Sequence, residues 1–405
     1  MASVLHSSGM EDLALTFIVI GGLLLAGLFI NTIGWRTRLP RVTLLLLFGF
    51  AIGESGLNIL PVITRDWFPF IANLALVMIG FLLGEKLSRH SLQQHGRQIM
   101  IISLAVVIMT TLIMAGGLWI IGAPLGMALL LGGIATATDP VATTDAVNEQ
   151  KAEGRFTSVL QGIVAVDDAW GLLLFSMLIP VGHLLVGETG NTVNIMLSGL
   201  WELGGAVLLG VMLGLPMSYL TGRLRHGEFT LIEALGMVFL CTGLAMWLEV
   251  SFLMATIVMG ATVANLAHHS KRPFHAIANI EMPFLILFLV LAGASLQPAM
   301  LQTAGWVGVA YVVLRIVGRL AGGWLGGQLA HDALCKKWVG VSMLPQAGVA
   351  MAMALVTIQH FPQWGDQILS IVIATTVLFE VIGPILTRYA LQESGEAGKR
   401  EKAAR

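Results

Sequence analysis

The chain has 405 residues, of which 56% are hydrophobic and only 11% are charged, and its mean hydropathy is +0.85. Because a soluble domain carries about a quarter charged residues, this composition excludes an ordinary soluble protein and predicts a polytopic membrane protein. The formal net charge of −1 gives no sign of an acidic or nucleic-acid partner, so no nucleic acid is expected to bind.

Thirteen apolar runs are long enough to cross a bilayer, which takes roughly 17–25 residues. Their approximate limits are 13–35, 42–60, 68–87, 98–121, 124–147, 157–182, 193–221, 230–250, 252–267, 273–293, 298–330, 337–358 and 366–390. With the N-terminus outside, nineteen of the 22 lysines and arginines fall inside and one falls outside. This bias follows the positive-inside rule and predicts an all-α membrane protein with its C-terminus inside. Residues 1–391 are interpreted as the transmembrane domain, and residues 392–405 as a short, disordered cytosolic tail.

The fifth span is interrupted where it reads GGIATATDPVATTDAV. Proline lacks an N–H donor and disfavours helix in the residue before it, so the helix should break near Thr138 and Asp139. Non-helical backbone at membrane depth is tolerated only inside protein or beside a watery cavity. Asp139 is therefore interpreted either as a cap of the half-helix that begins at Pro140 or as an ion contact.

The sixth span has two adjacent carboxylates, Asp167 and Asp168, at the centre of the sequence GIVAVDDAWGLLL. One aspartate at mid-membrane costs about 2.5–3.5 kcal/mol on insertion scales, so two in a row predict a cation or proton site. A hard monovalent cation prefers oxygen ligands, and a poorly solvated carboxylate holds a proton readily when the cation is absent. Adjacent residues on a helix point about 100° apart, so the two carboxylates can have different roles.

The eleventh span carries Arg315 and Arg319, which are four residues apart and hence on one helix face. Both lie too near mid-span to reach the interface comfortably. Pairing with a buried acid, such as Glu380 of the thirteenth span, is the preferred structural interpretation. The other open role is to balance one of the two aspartates of the sixth span.

The twelfth span is interrupted in the same way as the fifth, in the sequence GVSMLPQAGVAMAMAL, where Gln346 follows Pro345. The two breaks are seven spans apart, so the two spans enter the membrane from opposite sides. This arrangement is typical of inverted-repeat transporters, in which the substrate binds where the two discontinuous helices cross. Spans two to six would then pair with spans nine to thirteen.

These segments, taken in order, resemble the landmarks of the monovalent cation–proton antiporters, and most closely their bacterial branch with paired aspartates. The resemblance covers roughly Leu13 to Leu391, with matches in TATDPVATTDAV, VAVDDAWGLLLFS, RIVGRLAG, SMLPQAGVAMAMAL and FEVIGPILTR. It implies a transporter, not an enzyme, that exchanges a monovalent cation for protons by alternating access; Na⁺ is preferred, and K⁺ and Li⁺ stay open. It also implies a homodimer in the lipid of a bacterial inner membrane. Each protomer would have a dimerisation domain and an elevator-like core domain.

The resemblance also implies roles for single residues. Asp168, the second aspartate of the pair, is the ligand of the monovalent cation. Asp167 is linked to a basic residue of a later core helix, for which Arg319 matches best and Arg315 is the second choice. Thr138 lies in the motif of the unwound helix.

Two departures from the family bear on the stoichiometry. Arg319 stands where many relatives with paired aspartates have a lysine, and arginine cannot release a proton. The Thr138–Asp139–Pro140 form of the broken helix is more typical of the electroneutral branch. The paired aspartates favour an electrogenic cycle with two protons per cation, and this is the preferred expectation. The fixed arginine favours one proton per cation.

Other functions are less favoured by the sequence. The main alternative is a sodium-coupled symporter of a small organic anion, which needs a roomier cavity and an anion-binding cluster. A channel would need a repeated filter sequence, and a membrane enzyme would need a nucleophile–base pair or an HExxH spacing; neither is found among the spans. No histidine or cysteine cluster has the spacing of metal ligands, so no cofactor is predicted.

Overall fold

A computed structural model describes residues 2–37, 41–61, 63–186, 192–220, 230–267, 271–295, 298–346 and 348–399. Over these residues the chain forms fifteen α-helices and no β-strand. The helices are α1 (Ala2–Thr37), α2 (Arg41–Ile52), α3 (Ile63–Lys86), α4 (Arg89–Ile120), α5 (Leu125–Ile134), α6 (Pro140–Glu149), α7 (Arg155–Val186), α8 (Thr192–Leu220), α9 (Thr230–Trp247), α10 (Phe252–Leu266), α11 (Lys271–Ala294), α12 (Pro298–Leu329), α13 (Ala333–Ser342), α14 (Gly348–His360) and α15 (Pro362–Glu393).

Among the described residues, eight helices are long and apolar enough to cross a membrane, and five shorter helices are also apolar. A water-soluble fold does not produce so many apolar helices of this length. The chain is therefore an integral, multi-pass membrane protein. The count of thirteen spans and the orientation of the termini stay predictions.

The helices pack in two groups. Helices α4–α7 and α12–α15 form the first group, which we call the site bundle, and α1–α3 with α8–α11 form the flanking bundle. Within the site bundle, α4 packs along α12, α5 packs along α7, and α13 and α14 pack against α15. Helices α3, α8 and α10 of the flanking bundle contact α7. Helix α7 therefore lies on the side of the site bundle that faces the flanking bundle.

Helix α12 approaches α4 closely because its contact face consists of glycines. Gly318, Gly322 and Gly326 recur every four residues and lie directly against the main chain of α4 between Ile102 and Thr110. A side chain at any of the three positions would overlap that main chain. Small residues at this spacing allow membrane helices to pack backbone against backbone. Because α12 also carries both buried arginines, this contact fixes their depth in the bundle.

Two predicted spans are divided into pairs of short helices, as the sequence indicated. Residues 135–139 are non-helical between α5 and α6, and Pro140 occupies the first helical position of α6, where its missing N–H leaves no bond unmade. After α13, residues 343–346 are also non-helical and contain Pro345. The predicted breaks in the fifth and twelfth spans are confirmed.

The two halves of the site bundle repeat in helix length. Helices α4 to α7 have 32, 10, 10 and 32 residues, and α12 to α15 have 32, 10, 13 and 32. The second set begins at Pro298, which is 209 residues after Arg89, where the first set begins. The long helices α4 and α12 each contain one glycine with positive φ, Gly96 (69°) and Gly305 (40°), as their eighth residue. The two halves thus agree in the order and approximate length of their helices.

The C-terminal tail is ordered further than the sequence indicated. After α15, residues 394–399 form turns against the connection between α6 and α7, and Glu396 is buried there. Leu391, at the end of α15, belongs to the same apolar cluster as Phe156 at the start of α7. The difference from the expected disorder arises because these contacts come from distant segments, which the composition of the tail cannot reveal. Residues 400–405 lie outside the described residues.

Candidate ion-binding site

The two adjacent aspartates lie on α7 in the middle of the site bundle. Asp167 is fully buried, whereas Asp168 keeps an exposure of 2%. One turn further along α7, Gly171 has no side chain, and a Cβ there would overlap the hydroxyl of Thr136 in the first break. The absence of that side chain lets the non-helical residues of the fifth span lie directly against α7.

Asp168 contacts the backbone that the first break has freed. The N–H of Thr138 donates to Asp168 Oδ1 at 3.1 Å. Thr138 lies between α5 and α6, where its N–H has no intrahelical acceptor. A main-chain donor at membrane depth needs a partner inside the protein, and a carboxylate on α7 provides it.

Asp167 forms a buried ion pair. Its Oδ2 accepts hydrogen bonds from Arg319 Nη1 at 3.0 Å and from Thr138 Oγ1 at 2.5 Å. Over the described residues, Arg319 is the arginine that pairs with Asp167, and this was the first choice of the two. Asp167 Oδ1 has no hydrogen-bond partner in the part of the chain that the structure describes. Because both charges are fully buried, removing either one would leave an uncompensated charge.

Arg315 joins the two breaks. Its Nε and Nη2 donate to the carbonyls of Ala135 at 3.2 Å and Ala137 at 2.9 Å in the first break. Its Nη1 and Nη2 donate to the carbonyls of Leu344 at 2.7 Å and Pro345 at 3.4 Å in the second. Helices α5 and α13 end at Ile134 and Ser342, one to three residues before these carbonyls, so the guanidinium lies near the negative ends of two helix dipoles.

The two breaks also contact each other directly. The N–H of Asp139 donates to the carbonyl of Pro345 at 3.1 Å, and Arg319 Nη2 donates to the carbonyl of Thr136. The Asp139 side chain accepts the N–H of Val141 at 2.8 Å and caps the N-terminus of α6. Of the two roles left open for Asp139, the capping role is therefore present.

Glu380 is buried on α15 beside this region. Its neighbour Phe379 lies against Arg315, with the guanidinium carbon 4.3 Å from the ring centroid, a favourable position over the face of an aromatic ring. This contact brings α15 next to Arg315. A pairing of an arginine with Glu380 stays a prediction.

Sequence reasoning missed a polar pair that supports the second break. Gln346 Nε2 donates to the hydroxyl of Tyr311 at 3.1 Å, and both side chains are fully buried. Tyr311 lies four residues before Arg315 and eight before Arg319, so the three share one face of α12. The spacing could have identified Tyr311 from the sequence, because it lies on the same helix face as Arg315 and Arg319.

A second carboxylate cap lies outside the spans, between α12 and α13. Asp332 accepts the N–H groups of Leu334 at 3.1 Å and Cys335 at 3.0 Å, and Gln98 Nε2 donates to it at 2.8 Å. Arg155 approaches it to 3.4 Å. Partial burial acts to raise the pKa of Asp332, but the hydrogen bonds from Cys335 and Gln98 and the charge of Arg155 outweigh burial and hold its pKa below the ordinary value.

Two non-helical segments that contact each other beside a buried carboxylate pair are typical of secondary transporters. Among the described residues, no group of three or more histidine, cysteine or acidic side chains is arranged to hold a metal ion. Residues 13–392 match the model of the family described as sodium/hydrogen exchanger, transmembrane. The chain belongs to this family, as the resemblance predicted, and is a transporter.

The chain is also similar to individual antiporters. It is 23% identical over 317 residues to the ammonium/H⁺ antiporter subunit AmhT of Alkalihalophilus pseudofirmus, a match that covers 75% of this chain and 78% of that protein. It is 21% identical over 316 residues to the K⁺/H⁺ antiporter subunit KhtU of Bacillus subtilis, covering 75% of this chain and 76% of that protein. A probable Na⁺/H⁺ antiporter of Methanocaldococcus jannaschii is 28% identical over 162 residues, covering 39% and 40%.

A solved structure shares the fold. The sodium proton antiporter MjNhaP1 of Methanocaldococcus jannaschii, at pH 8, superposes with a TM-score of 0.75 over 94% of this chain and 99% of that chain. The sequence identity is 19%, so the likeness shows the fold alone.

Proposed function

We propose that the chain exchanges a monovalent cation, with Na⁺ preferred over K⁺ and Li⁺, for protons at a site centred on Asp168. The observation that carries the proposal is the unequal environment of the two carboxylates. Asp167 is balanced by Arg319, whereas Asp168 receives one N–H from Thr138 and keeps a small exposure. A cation and a proton need the same carboxylate oxygens, so they compete for Asp168.

Residues of the first break complete the proposed site. Thr138 orients Asp168 through its N–H and contributes a hydroxyl oxygen, which lies 2.5 Å from Asp167. The carboxylate of Asp139 lies in the same non-helical stretch and contributes negative charge while it caps α6. Oxygen donors of this kind suit Na⁺, K⁺ and Li⁺ alike. The similar antiporters include proteins named for sodium, for potassium and for ammonium.

We further propose that the two halves of the site bundle are an inverted repeat that provides alternating access. The matching helix lengths and the two glycines with positive φ support this assignment. The breaks are seven predicted spans apart, and an odd offset would make the halves antiparallel across the membrane. The N–H of Asp139 donates to the carbonyl of Pro345, so the two breaks are in direct contact. The site bundle would be the moving core domain.

The flanking bundle is proposed as the dimerisation domain of a homodimer. Large apolar side chains on α8 are exposed and suit contact with lipid or with a second protomer. They include Leu200, Trp201, Leu208 and Met212.

The alternative of a sodium-coupled anion symporter is less favoured by the geometry. An organic anion would need a basic residue that is available to its carboxylate. Among the described residues, the fully buried basic side chains are Arg315 and Arg319, which donate to main-chain carbonyls and to Asp167.

Flux through the purified protein in liposomes tests the proposal. Vesicles that hold a pH-sensitive dye are given an imposed pH gradient and then Na⁺, K⁺, Li⁺ or ammonium in turn. We expect Na⁺ to dissipate the gradient at the lowest concentration. A protein that moves none of these cations, or that needs an added organic anion, would contradict the proposal.

The variant Asp168→Asn tests the site itself. Asparagine keeps the size and an oxygen but carries neither a proton nor a full charge, so exchange should be abolished while the protein still folds. Asp167→Asn should be milder. The matched control is Asp366→Asn, an exposed carboxylate at the start of α15, which should exchange like the wild type. Near-normal flux through Asp168→Asn would exclude this residue as the ion ligand.

A further inference from the structure

The helix that carries both aspartates is capped by a residue from the far end of the chain. Helix α7 begins directly after Gly154, which has no side chain to cap it. Glu396 of the tail instead accepts the N–H of Phe156 at 3.0 Å and the N–H of Thr157 at 2.8 Å. The hydroxyl of Thr157 also donates to the same carboxylate at 2.8 Å. These are the donors that the first turn of a helix leaves without an intrahelical acceptor.

The position before α7 is shaped for this carboxylate. A Cβ on Gly154 would overlap the carboxyl group of Glu396. The Glu396 residue is only 5% exposed, so its three hydrogen bonds are shielded from water. A negative charge at this end of α7 also meets the positive end of the helix dipole.

The tail holds the end of α6 as well as the start of α7. The N–H of Gly398 donates to the carbonyl of Gln150, the C-cap of α6, at 2.8 Å. The amide of Gln392 donates to the Gln150 side chain at 3.1 Å. Between the two helices, the N–H of Glu153 donates to the carbonyl of Glu396 at 3.2 Å. One segment thus ties together the two helices on either side of the connection.

We propose that Glu396 is a positioning residue for the ion-binding site, which holds α7 against α6 so that Asp168 meets the N–H of Thr138. Helix α6 begins directly after the break that contains Thr138, and Asp168 lies about 17 Å along α7 from Thr157. A helix is stiff over this length, so a shift of its first turn reaches Asp168. The transport test of this inference rests on the proposed function, whereas the test by hydrogen–deuterium exchange does not.

Hydrogen–deuterium exchange on Glu396→Ala tests the positioning without any transport. The exposed Glu393, in the last turn of α15, provides the matched control Glu393→Ala. In Glu396→Ala we expect faster exchange of the amides of Phe156 and Thr157 and, at the site, about fivefold faster exchange of the Thr138 amide. Glu393→Ala should match the wild type. Faster exchange confined to the start of α7 would show a local cap only and would overturn the inference.

A transport measurement and a rescue by a second substitution also test the inference. In liposomes, Glu396→Ala should raise the half-saturating Na⁺ concentration about fivefold and keep the maximal rate within about twofold. Adding Gly154→Asp to that variant supplies a cap from the residue directly before α7, where the lost carboxylate has left room. It should restore both the Na⁺ affinity and the protection of the Thr138 amide. A lower melting temperature with unchanged affinity, or a failed rescue, would overturn the inference. If the wild type moves no cation, the proposed function fails, while the exchange arm still decides the role of Glu396.

Discussion

The two halves of the site bundle have similar helix lengths but opposite charges at the point where they meet. Helices α4–α7 and α12–α15 agree closely in length, and each half is broken in its second span. The first half places Asp167 and Asp168 at the breaks, and the second places Arg315 and Arg319 there. Two sets of helices of similar length therefore meet at the breaks, and their different side chains place charges of both signs there.

The two breaks differ in what they bind. In the first break, the N–H of Thr138 donates to Asp168 and its hydroxyl donates to Asp167. In the second break, the amide of Gln346 donates to the hydroxyl of Tyr311, a neutral group. Arg315 of α12 binds both breaks, so the two differ in that Thr138 contacts the two carboxylates, whereas Gln346 does not contact them in the described structure. Four substitutions and one measurement on the wild type test these contacts and the ion site, from the largest expected effect to the smallest.

Replacing Arg315 by glutamine removes the contacts to both breaks at once and should have the largest effect. Four carbonyls lose a charged donor, and a buried polar group without a partner costs about 1–3 kcal/mol. We expect loss of the folded protein, measured as the thermal midpoint and the monodisperse fraction in detergent. Arg315→Lys should recover only part of the stability, because an ammonium cannot donate to four carbonyls in the planar geometry of a guanidinium. A lysine variant as stable as the wild type would contradict the role of Arg315 in binding these four carbonyls.

Removing the Thr138 hydroxyl should weaken the first break without unfolding the protein. Thr138→Val keeps the N–H to Asp168 but loses the hydrogen bond to Asp167, and a bond to a charged group is worth about 1.5–3 kcal/mol. We expect the half-saturating cation concentration to rise at least about tenfold. Thr138→Ser should be close to the wild type.

The matched change in the second break is Gln346→Leu. It should lower stability and leave the half-saturating cation concentration within about twofold, because Gln346 contacts Tyr311 and not the carboxylates in the described structure. Equal losses of affinity in Thr138→Val and Gln346→Leu would remove the distinction between the two breaks.

Removing the cap of the second broken helix should have a modest effect that depends on pH. Asp332→Ala should destabilise the protein by about 1 kcal/mol at neutral pH, the usual value of an N-cap. The pKa of Asp332 is held below its ordinary value in the folded protein, so its stabilisation is present above the unfolded pKa and is lost as the pH falls through the folded pKa. Thermal midpoints of both proteins at about pH 7 and pH 3 should therefore converge at the lower pH. A constant difference would exclude ionised Asp332 as the cause.

The smallest expected effect is that of voltage on the wild type. The paired aspartates of the sequence favour an electrogenic cycle. In the structure, however, Asp167 is held by Arg319 and Thr138, and arginine stays charged at any working pH. If only Asp168 exchanges its ion, one charge moves each way. We expect the null point of vesicle transport to be unchanged by an imposed potential. A cycle with two protons per cation would instead shift the sustained cation gradient roughly fiftyfold per 100 mV.

The sequence by itself determined the class of the protein and the places where its helices break. Apolar composition specifies a membrane protein because the bilayer excludes charged side chains. Pro140 and Pro345 mark the breaks because a proline disrupts helix through its own ring, whatever its surroundings. Asp167 and Asp168 identified the candidate site, since adjacent carboxylates in an apolar run are too costly to be incidental. Each of these conclusions depends on chemistry within a few residues.

Only the tertiary structure decided which groups meet. The spacing puts Arg315 and Arg319 on one helix face, and only the resemblance favoured Arg319 as the partner of Asp167. In the structure Arg319 pairs with Asp167, 152 residues away, and Arg315 joins the two breaks. The cap that Glu396 provides for α7 spans 240 residues to Phe156 and lies in a tail that reads as disordered. Such contacts leave no local pattern in the sequence, because the packing of whole helices decides them. The glycine face of α12 sets the depth of the arginines. The end of α15 packs against the start of α7, which places the tail beside that helix.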